Sequence, residues 1–581
     1  MERLSGQLNQ FFESIVGINV DVFSYATMLI RFVLPALALI IITRSIRMLL
    51  QRRDNPEVWG YLSLPNGSRI ELKHWENVIG RAKTSDVFLQ YPTLSRSHAA
   101  VMRDAKGNWK IYDAESRKGI IINDKKVDVD KGASIVNGDV INLGGVKMVF
   151  ILDEDHIIRA DTISEVQSFM NFNPVTTLFY LTLFQLLLGL QLCISKSEQL
   201  MLVLPATFLG LIALMWLSYA VSRRLRKANF EIEILAFFLT TLGFSVVATG
   251  SQTDLMRQLF LVTLGVIMFF SISWFLRDLN RVQKLRTPIA AAGLALLAVN
   301  VAGGLLGFVE SVHGATRWMV IGGVSFQPSE IVKIAFIFAG AATMDHLLKK
   351  RNLYFFIGFA AMCVMGLTLI TDFGSALIFF VAYLVIAFLR SGEYSTLLLS
   401  IGGAGFAGIM ALQFWSHIAR RFATWGNAWE HIHTGGFQQT HAMAAVASGG
   451  LFGVGAGNGW FKNIFAGDSD LVFALVSEEL GLLIAIMAIS CILAFVVYSV
   501  ITAGESRSSF YVIGACAAAS ILIFQMILNV FGSMDILPFT GVTFPFVSKG
   551  GTSLISCWGL LAFIKAADTH SQDRGRKVSK R

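Results

Sequence analysis

Apolar residues fall in long unbroken runs over most of the chain, and one stretch near the N-terminus breaks the pattern. The runs lie near residues 24–46, 174–194, 199–221, 231–249, 256–276, 288–308, 327–346, 353–371, 373–390, 395–415, 472–501, 509–533 and 543–566. A helix that crosses a bilayer needs roughly 20 apolar residues, so the pattern predicts about thirteen spans. Between the first two runs, residues 54–153 lose this character. Short alternating pieces replace it: Trp59 to Leu64, Ser68 to Leu72, Ala99 to Met102, Trp109 to Tyr112, Gly119 to Ile122 and Val146 to Leu152. Turn signals separate them at Pro65-Asn66-Gly67, Lys106-Gly107-Asn108 and Asn137-Gly138-Asp139. Alternation with turns of this kind predicts a β-sandwich. The expected fold class is therefore a polytopic α-helical membrane protein with an inserted all-β sandwich.

Composition agrees. A chain of 581 residues would hold about three or four soluble domains. Here 54% of residues are apolar and only 15% charged, against about 25% charged in an ordinary soluble domain. Mean hydropathy is +0.61. A soluble enzyme, a disordered chain and a collagen-like chain are excluded. The first apolar run is too long for a signal-peptide core and reads as a retained anchor. The five cysteines, Cys193, Cys363, Cys491, Cys516 and Cys557, lie inside apolar runs with no CxxC spacing. They read as small buried hydrophobes, with no disulfide framework and no metal-binding set.

The net charge of +9 carries the sidedness. Basic residues cluster after the first run (Arg44, Arg47, Arg52, Arg53), the third (Arg223, Arg224, Arg226, Lys227) and the fifth (Arg277, Arg281, Lys284, Arg286). Further clusters follow the seventh run (Lys349, Lys350, Arg351) and fill the tail (Arg574, Arg576, Lys577, Lys580, Arg581). With thirteen spans all these clusters share one side, which the positive-inside rule makes cytoplasmic. The N-terminus is then outside, residues 54–153 and the C-terminus are inside, and the long loop 416–470 faces out. Nucleic acid is not expected as a partner, because the basic residues border apolar runs.

Within the polar insert, Ile79-Gly80-Arg81, Leu94-Ser95-Arg96-Ser97-His98-Ala99, Asp113 to Asn123 and Gly138-Asp139-Val140-Ile141 occur in order. This set resembles the forkhead-associated (FHA) family, a β-sandwich whose loops bind phosphothreonine peptides. The resemblance implies phosphate binding by Arg81 and Ser95, with His98 bracing the loop from behind. Arg96, Ser116, Arg117 and Lys118 complete the expected peptide site. A guanidinium with hydroxyl and backbone donors suits a phosphate. Where the family has a Ser-Thr-Asn-Gly run, this chain has Ser116-Arg117-Lys118-Gly119. The family's asparagine, which fixes the peptide backbone, is missing, and Arg117 and Lys118 offer charge in its place. A sandwich that only docks another protein is the plainer reading.

Polar residues inside membrane spans are expensive and default to function. Arg317-Trp318 precedes Phe326-Gln327-Pro328-Ser329-Glu330 and Lys333. Glu330 and Lys333 are i,i+3 and share a helix face, so an ion pair is their simplest role. Asp372, in Thr371-Asp372-Phe373-Gly374-Ser375, is placed to cap the helix after it. Asp468-Ser469-Asp470 ends the large outside loop, and Ser477-Glu478-Glu479-Leu480-Gly481 follows. The run from Pro538 to Ser553, with Ser548 and Lys549, is rich in Gly, Pro and Ser. That content predicts non-helical backbone lining a cavity.

These runs, in this order, resemble the SEDS family of RodA- and FtsW-like proteins over residues 230–567, ten of the predicted spans. The implied organisation is an N-terminal segment and span (1–53), the sandwich (54–153), a linker with two extra spans (154–229), the SEDS-like core (230–567) and a basic tail (568–581). The resemblance implies polymerisation of lipid II into glycan strands beside a class B penicillin-binding protein. It also implies that Asp470 is catalytic. Two positions depart from the family pattern: the expected His-Thr is Asp468-Ser469, and the expected Tyr is Lys549.

The chemistry needs a base for the attacking sugar hydroxyl and cations for the departing pyrophosphate. Asp470 suits the first role. Arg317, Lys333, Arg420 and Arg421 are candidates for the second, with Glu330, Asp372, Glu478, Glu479, Ser548 and Lys549 supporting the cavity. A divalent cation (Mg or Mn) at the carboxylates is a further expectation. Two other functions stay open: a lipid II flippase using the intramembrane charges, and a scaffold that recruits phosphoproteins through the sandwich.

Overall fold

The apolar runs fold as helices and the polar insert as two stacked sheets. The computed structural model describes residues 22–50, 58–82, 85–104, 107–129, 131–152, 174–195, 203–225, 230–250, 254–305, 318–321, 324–344, 350–391, 394–414, 416–506 and 508–568. The expected linker 154–173, the tail beyond Asp568, and Arg317 lie outside the described residues.

Among the described residues three helices precede the core: α1 (Val22–Leu50), α2 (Pro174–Ser195) and α3 (Val203–Arg224). The core begins with α4 (Glu231–Gly250), α5 (Asp254–Phe275), α6 (Leu279–Leu305), α7 (Pro328–Met344) and α8 (Lys350–Leu369). It continues with α9 (Phe373–Ser391), α10 (Tyr394–Phe414), α11 (Ser416–Thr424) and α12 (Phe437–Gly449). It closes with α13 (Val472–Leu480), α14 (Leu482–Glu505), α15 (Ser509–Ser533) and α16 (Gly551–Ala566). Among the described residues 10 helices are long and apolar enough to cross a membrane, against about thirteen expected by the window rule. The runs at 327–346, 395–415 and 543–566 fold as α7, α10 and α16, which are not among those ten.

The run 472–501 is not one helix. Gly481 breaks it with φ +93, and a Cβ there would lie 2.3 Å from the Leu451 carbonyl oxygen. Only glycine accepts both that conformation and that approach. The long loop 416–470 holds α11, α12 and a helical turn at Phe461–Asn463.

α4 is the axis of the bundle, with every residue from Glu231 to Thr249 buried. α5 and α16 pack closely where Gly265 faces Trp558, whose ring also meets Phe237 (4.9 Å between centroids), Phe546 (5.7 Å) and Phe269 (5.9 Å). Small residues at crossing points let membrane helices approach, since lipid gives no hydrophobic drive for association. The extra helices are part of this bundle. Arg31 of α1 donates to the Gly453 carbonyl, and Ser195 of α2 donates to Asn458 (3.0 Å). Both therefore brace the long loop between α12 and α13.

Among the described residues the sandwich has eleven strands: β1 (Gly60–Ser63), β2 (Arg69–Leu72), β3 (Glu76–Gly80), β4 (Val87–Phe88), β5 (Ala99–Arg103), β6 (Trp109–Asp113), β7 (Ile120–Ile122), β8 (Lys125–Lys126), β9 (Ala133–Ile135), β10 (Val140–Leu143) and β11 (Val146–Leu152). One sheet has the order β2-β1-β11-β10-β7-β8 and the other β4-β3-β5-β6-β9. Alternate residues, among them Leu62, Ile79, Val101, Ile111, Ile141 and Phe150, are fully buried between the sheets. That alternation is the two-residue period of a half-buried strand. A short hairpin, β12 (Met319–Ile321) with β13 (Val324–Phe326), leads into α7.

Candidate active site and phosphate-binding loops

At the end of α15 far from the sandwich, two irregular segments meet. In the first, the Ala466 carbonyl accepts the backbone N–H groups of Asp470 (3.0 Å), Leu471 (3.2 Å) and Ser469 (3.3 Å), a tight turn that presents Asp470 half-buried. The second is the Gly/Pro/Ser-rich stretch before α16, which is non-helical from Leu537 to Gly550 as its composition predicts.

Asn529 of α15 ties them together. Its Nδ2 donates to the Asp470 carbonyl and to the Val542 carbonyl, both at 2.8 Å. Ser548 Oγ donates to the Ser469 carbonyl and accepts the Phe544 N–H at 2.8 Å. The Lys549 N–H donates to the Asp468 carbonyl at 2.8 Å. Lys549 Nζ lies 2.9 Å from Asp254 Oδ2 and 3.1 Å from Asp468 Oδ2. Burial alone would lower the Lys549 ammonium, but the two carboxylates outweigh it and hold the group above the ordinary lysine value.

Glu478 and Glu479 hold the loop rather than face open space. Glu478 accepts the Trp460 and Phe461 N–H groups, each at 3.0 Å, and Glu479 accepts the Gly457 N–H (3.0 Å) and the Thr249 hydroxyl (2.9 Å). Asp372 caps α9, accepting the Ser375 N–H at 3.3 Å, and takes a longer contact of 3.4 Å from the Gln327 amide. This is the structural role its position suggested.

Lys333 does not face the Asp470 turn as a free cation. It is fully buried, and its Nζ reaches both Glu330 oxygens at 2.7 and 2.8 Å. Ser556 of α16 adds a hydrogen bond of 2.6 Å to Glu330. The pair is thus satisfied inside the bundle. Arg420 and Arg421 are exposed, and Arg421 donates to the Phe539 carbonyl at 3.2 Å. Nearby, Asp535 accepts the Gly426 and Ala428 N–H groups (3.2 Å each), which fastens the start of the loop 416–470 to the segment leading to Lys549.

Among the described residues no three His, Cys, Asp or Glu side chains gather as metal ligands. The carboxylates of Asp254 and Asp468 already share an ammonium. This donor set does not fit a resident divalent ion.

The sandwich brings its predicted residues together at one rim. The Arg81 N–H donates to the Ser95 carbonyl at 3.0 Å, and the Arg117 N–H donates to Ser95 Oγ at 3.2 Å. Arg81, Arg96, Arg117 and Lys118 are all exposed there, and Ser116 is half-buried, its Oγ accepting the Gly119 N–H at 2.9 Å. His98 is fully buried behind them. Its Nδ1 accepts the Ser95 N–H at 3.1 Å, so Nε2 carries the proton and donates to the Gly119 carbonyl at 3.2 Å. A Cβ on Gly80 would lie 2.0 Å from the Arg96 carbonyl oxygen, so glycine is required where the loops cross.

Sequence reasoning missed Asn529, Asp254 and Asp535. Asn529 did carry a signal, as an amide inside an apolar span. Asp254 and Asp535 lie at helix ends, where an aspartate draws no notice.

The fold and the two sites define a polytopic membrane protein with polar groups converging at one end of its bundle and a two-sheet β-sandwich with exposed cations on one rim at the other. Residues 232–573, more than half of the chain, match the model of the cell cycle proteins of the FtsW, RodA and SpoVE type, and the chain belongs to that family. Residues 77–144 match the model of the FHA domain. The peptidoglycan glycosyltransferase RodA of Mycobacterium tuberculosis is 28% identical over 326 residues, covering 53% of this chain and 69% of that protein. The probable peptidoglycan glycosyltransferase FtsW of Bacillus subtilis is 28% identical over 356 residues, covering 56% and 85%. A chain from a solved peptidoglycan synthase complex is similar in fold, with a TM-score of 0.51 at 22% identity over 60% of this chain and 98% of that one.

Proposed function

We propose that this chain polymerises lipid II into glycan strands at the outer face of the cytoplasmic membrane, and that phosphothreonine binding at the sandwich regulates it. The observation that carries the reading is the Asp470 turn, held from α15 by Asn529 and from the opposing loop by Ser548. A carboxylate presented half-buried beside irregular backbone suits a general base. In this reading Asp470 takes the proton from an acceptor sugar hydroxyl. That oxygen bonds to the anomeric carbon of the second substrate as the bond to its lipid pyrophosphate breaks, with inversion. Charge builds on the departing pyrophosphate, and exposed Arg420 and Arg421 on the same outside segment suit its stabilisation. The Lys/Arg asymmetry of the loops supports the sidedness, and the family resemblance implies a class B penicillin-binding protein as partner.

The exposed cations around Ser95 support the second half. A dianionic phosphate accepts charge-assisted hydrogen bonds from Arg81 and from the Ser95 hydroxyl. Lipid II transport is the other reading. It would draw on Glu330 and Lys333, yet these satisfy each other and Ser556 within the packed bundle, which favours the enzyme. The deciding experiment is lipid II polymerisation by the purified full chain with its transpeptidase partner, with the Asp470→Asn variant beside it.

A further inference from the structure

Around the start of β3 the sandwich is hydrogen-bonded to the membrane bundle. Glu76, the first residue of β3, is 5% exposed. Its Oε1 accepts the Ser508 hydroxyl at 2.9 Å and its Oε2 accepts the Ser509 N–H at 3.0 Å. Ser508 is the N-cap of α15, its own Oγ accepting the Phe510 N–H. His74 Nδ1 sits 2.7 Å from the Ser506 carbonyl, which makes that nitrogen the donor. A carboxylate at a helix start satisfies orphan donors and meets the positive end of the dipole.

Two rigid elements extend from this contact. β3 carries Glu76 at one end and Gly80 at the other, so the docking edge and the Arg81 loop share one five-residue strand. Along α15, Ser509 and Asn529 stand about 30 Å apart at 1.5 Å per residue, and Asn529 holds the Asp470 carbonyl.

We propose that the His74–Glu76 edge is a docking surface by which the sandwich holds the near end of α15, and that Glu76 is a positioning residue for the Asp470 turn through Asn529. The last link rests on the reading of Asp470 as the base; the docking does not.

The test is hydrogen exchange on the full chain in lipid nanodiscs, with strand synthesis measured on the same samples. Removing a helix cap typically costs about 1 kcal/mol, roughly a fivefold change. Glu76→Ala is expected to speed amide exchange across 508–513 about fivefold, with β5 and β6 unchanged, and to lower kcat for strand synthesis several-fold at unchanged KM. Wild-type exchange across 508–513 in a variant with intact β5 and β6 overturns the docking. Faster exchange with unchanged kcat overturns the positioning role alone. If Glu76→Ala disrupts the sandwich, a short bismaleimide across His74→Cys and Ser506→Cys decides. Cross-linking supports the docking and its absence overturns it. Should the wild-type chain make no glycan, the function reading fails while the exchange and cross-linking arms still read the docking.

Discussion

Lys549 and Asp468 form an ion pair of 3.1 Å, joining the two positions at which the chain departs from its family's motif runs. The His-Thr pattern and the Tyr of the family lie about eighty residues apart in sequence here, and each departure is unexplained when read alone. In the fold they face each other, with Asp254 completing the set at 2.9 Å. The lysine explains the aspartate and the aspartate explains the lysine. Asp468, one of the two departures, anchors the loop beside Asp470.

The first prediction follows from that pairing. Lys549→Met and Asp468→Asn each lower the thermal unfolding midpoint in detergent, and the double variant loses less than their sum. A partly exposed pair contributes about 1 kcal/mol at most. Fully additive losses would show that the two groups do not interact.

A pH dependence comes with it. The Lys549 pKa is raised in the fold, so its stabilisation is fully present below the ordinary lysine value and is lost only as pH rises through the higher folded value. The difference in midpoint between wild type and Lys549→Met is therefore constant from pH 6 to pH 9. A difference that vanishes at pH 8 contradicts the pairing.

The buried pair behaves differently. Lys333→Met leaves Glu330 with Ser556 and no cation, and orphaning a buried charge costs about 3–5 kcal/mol. The variant is expected to be poorly folded by size-exclusion profile. Glu330→Gln added to it recovers most of the folded yield, because no charge is then stranded. A single variant with a wild-type profile would show that Lys333 is not needed by its partner.

At the sandwich, Arg81→Ala is expected to weaken binding of a phosphothreonine peptide at least tenfold, since a charge-assisted hydrogen bond contributes about 1.5–3 kcal/mol. Calorimetry on the full chain measures it. Gly80→Ala should disrupt the domain altogether, because its methyl has no room against the Arg96 carbonyl. Equal affinity for phosphorylated and unphosphorylated peptide would remove the regulatory reading.

Much of this was legible in the sequence, for physical reasons. Long apolar runs can only be buried or spanning helices, and alternation with Asn-Gly turns can only be paired strands, so both domains were visible. His98 and Gly80 fell where the motif put them. The break at Gly481 was not legible, since a glycine inside an apolar run also reads as a packing residue; only the close carbonyl of Leu451 decides it. The i,i+3 pairing of Lys333 with Glu330 was legible from spacing, whereas the serine of α16 that completes it was not, because Ser556 lies more than two hundred residues away. The docking edge at Glu76 was hidden because its partners lie more than four hundred residues away.

The central claim is that Asp470 is the base for strand synthesis. Asp470→Asn keeps the size of the side chain and the carbonyl that Asn529 holds, so the turn should fold unchanged. Loss of a general base typically lowers the rate 10²–10⁴-fold. Lipid II polymerisation by the purified variant with its partner is expected to fall to near background, while Asp468→Asn retains a clear part of the wild-type rate. Polymerisation at the wild-type rate by Asp470→Asn would contradict the account.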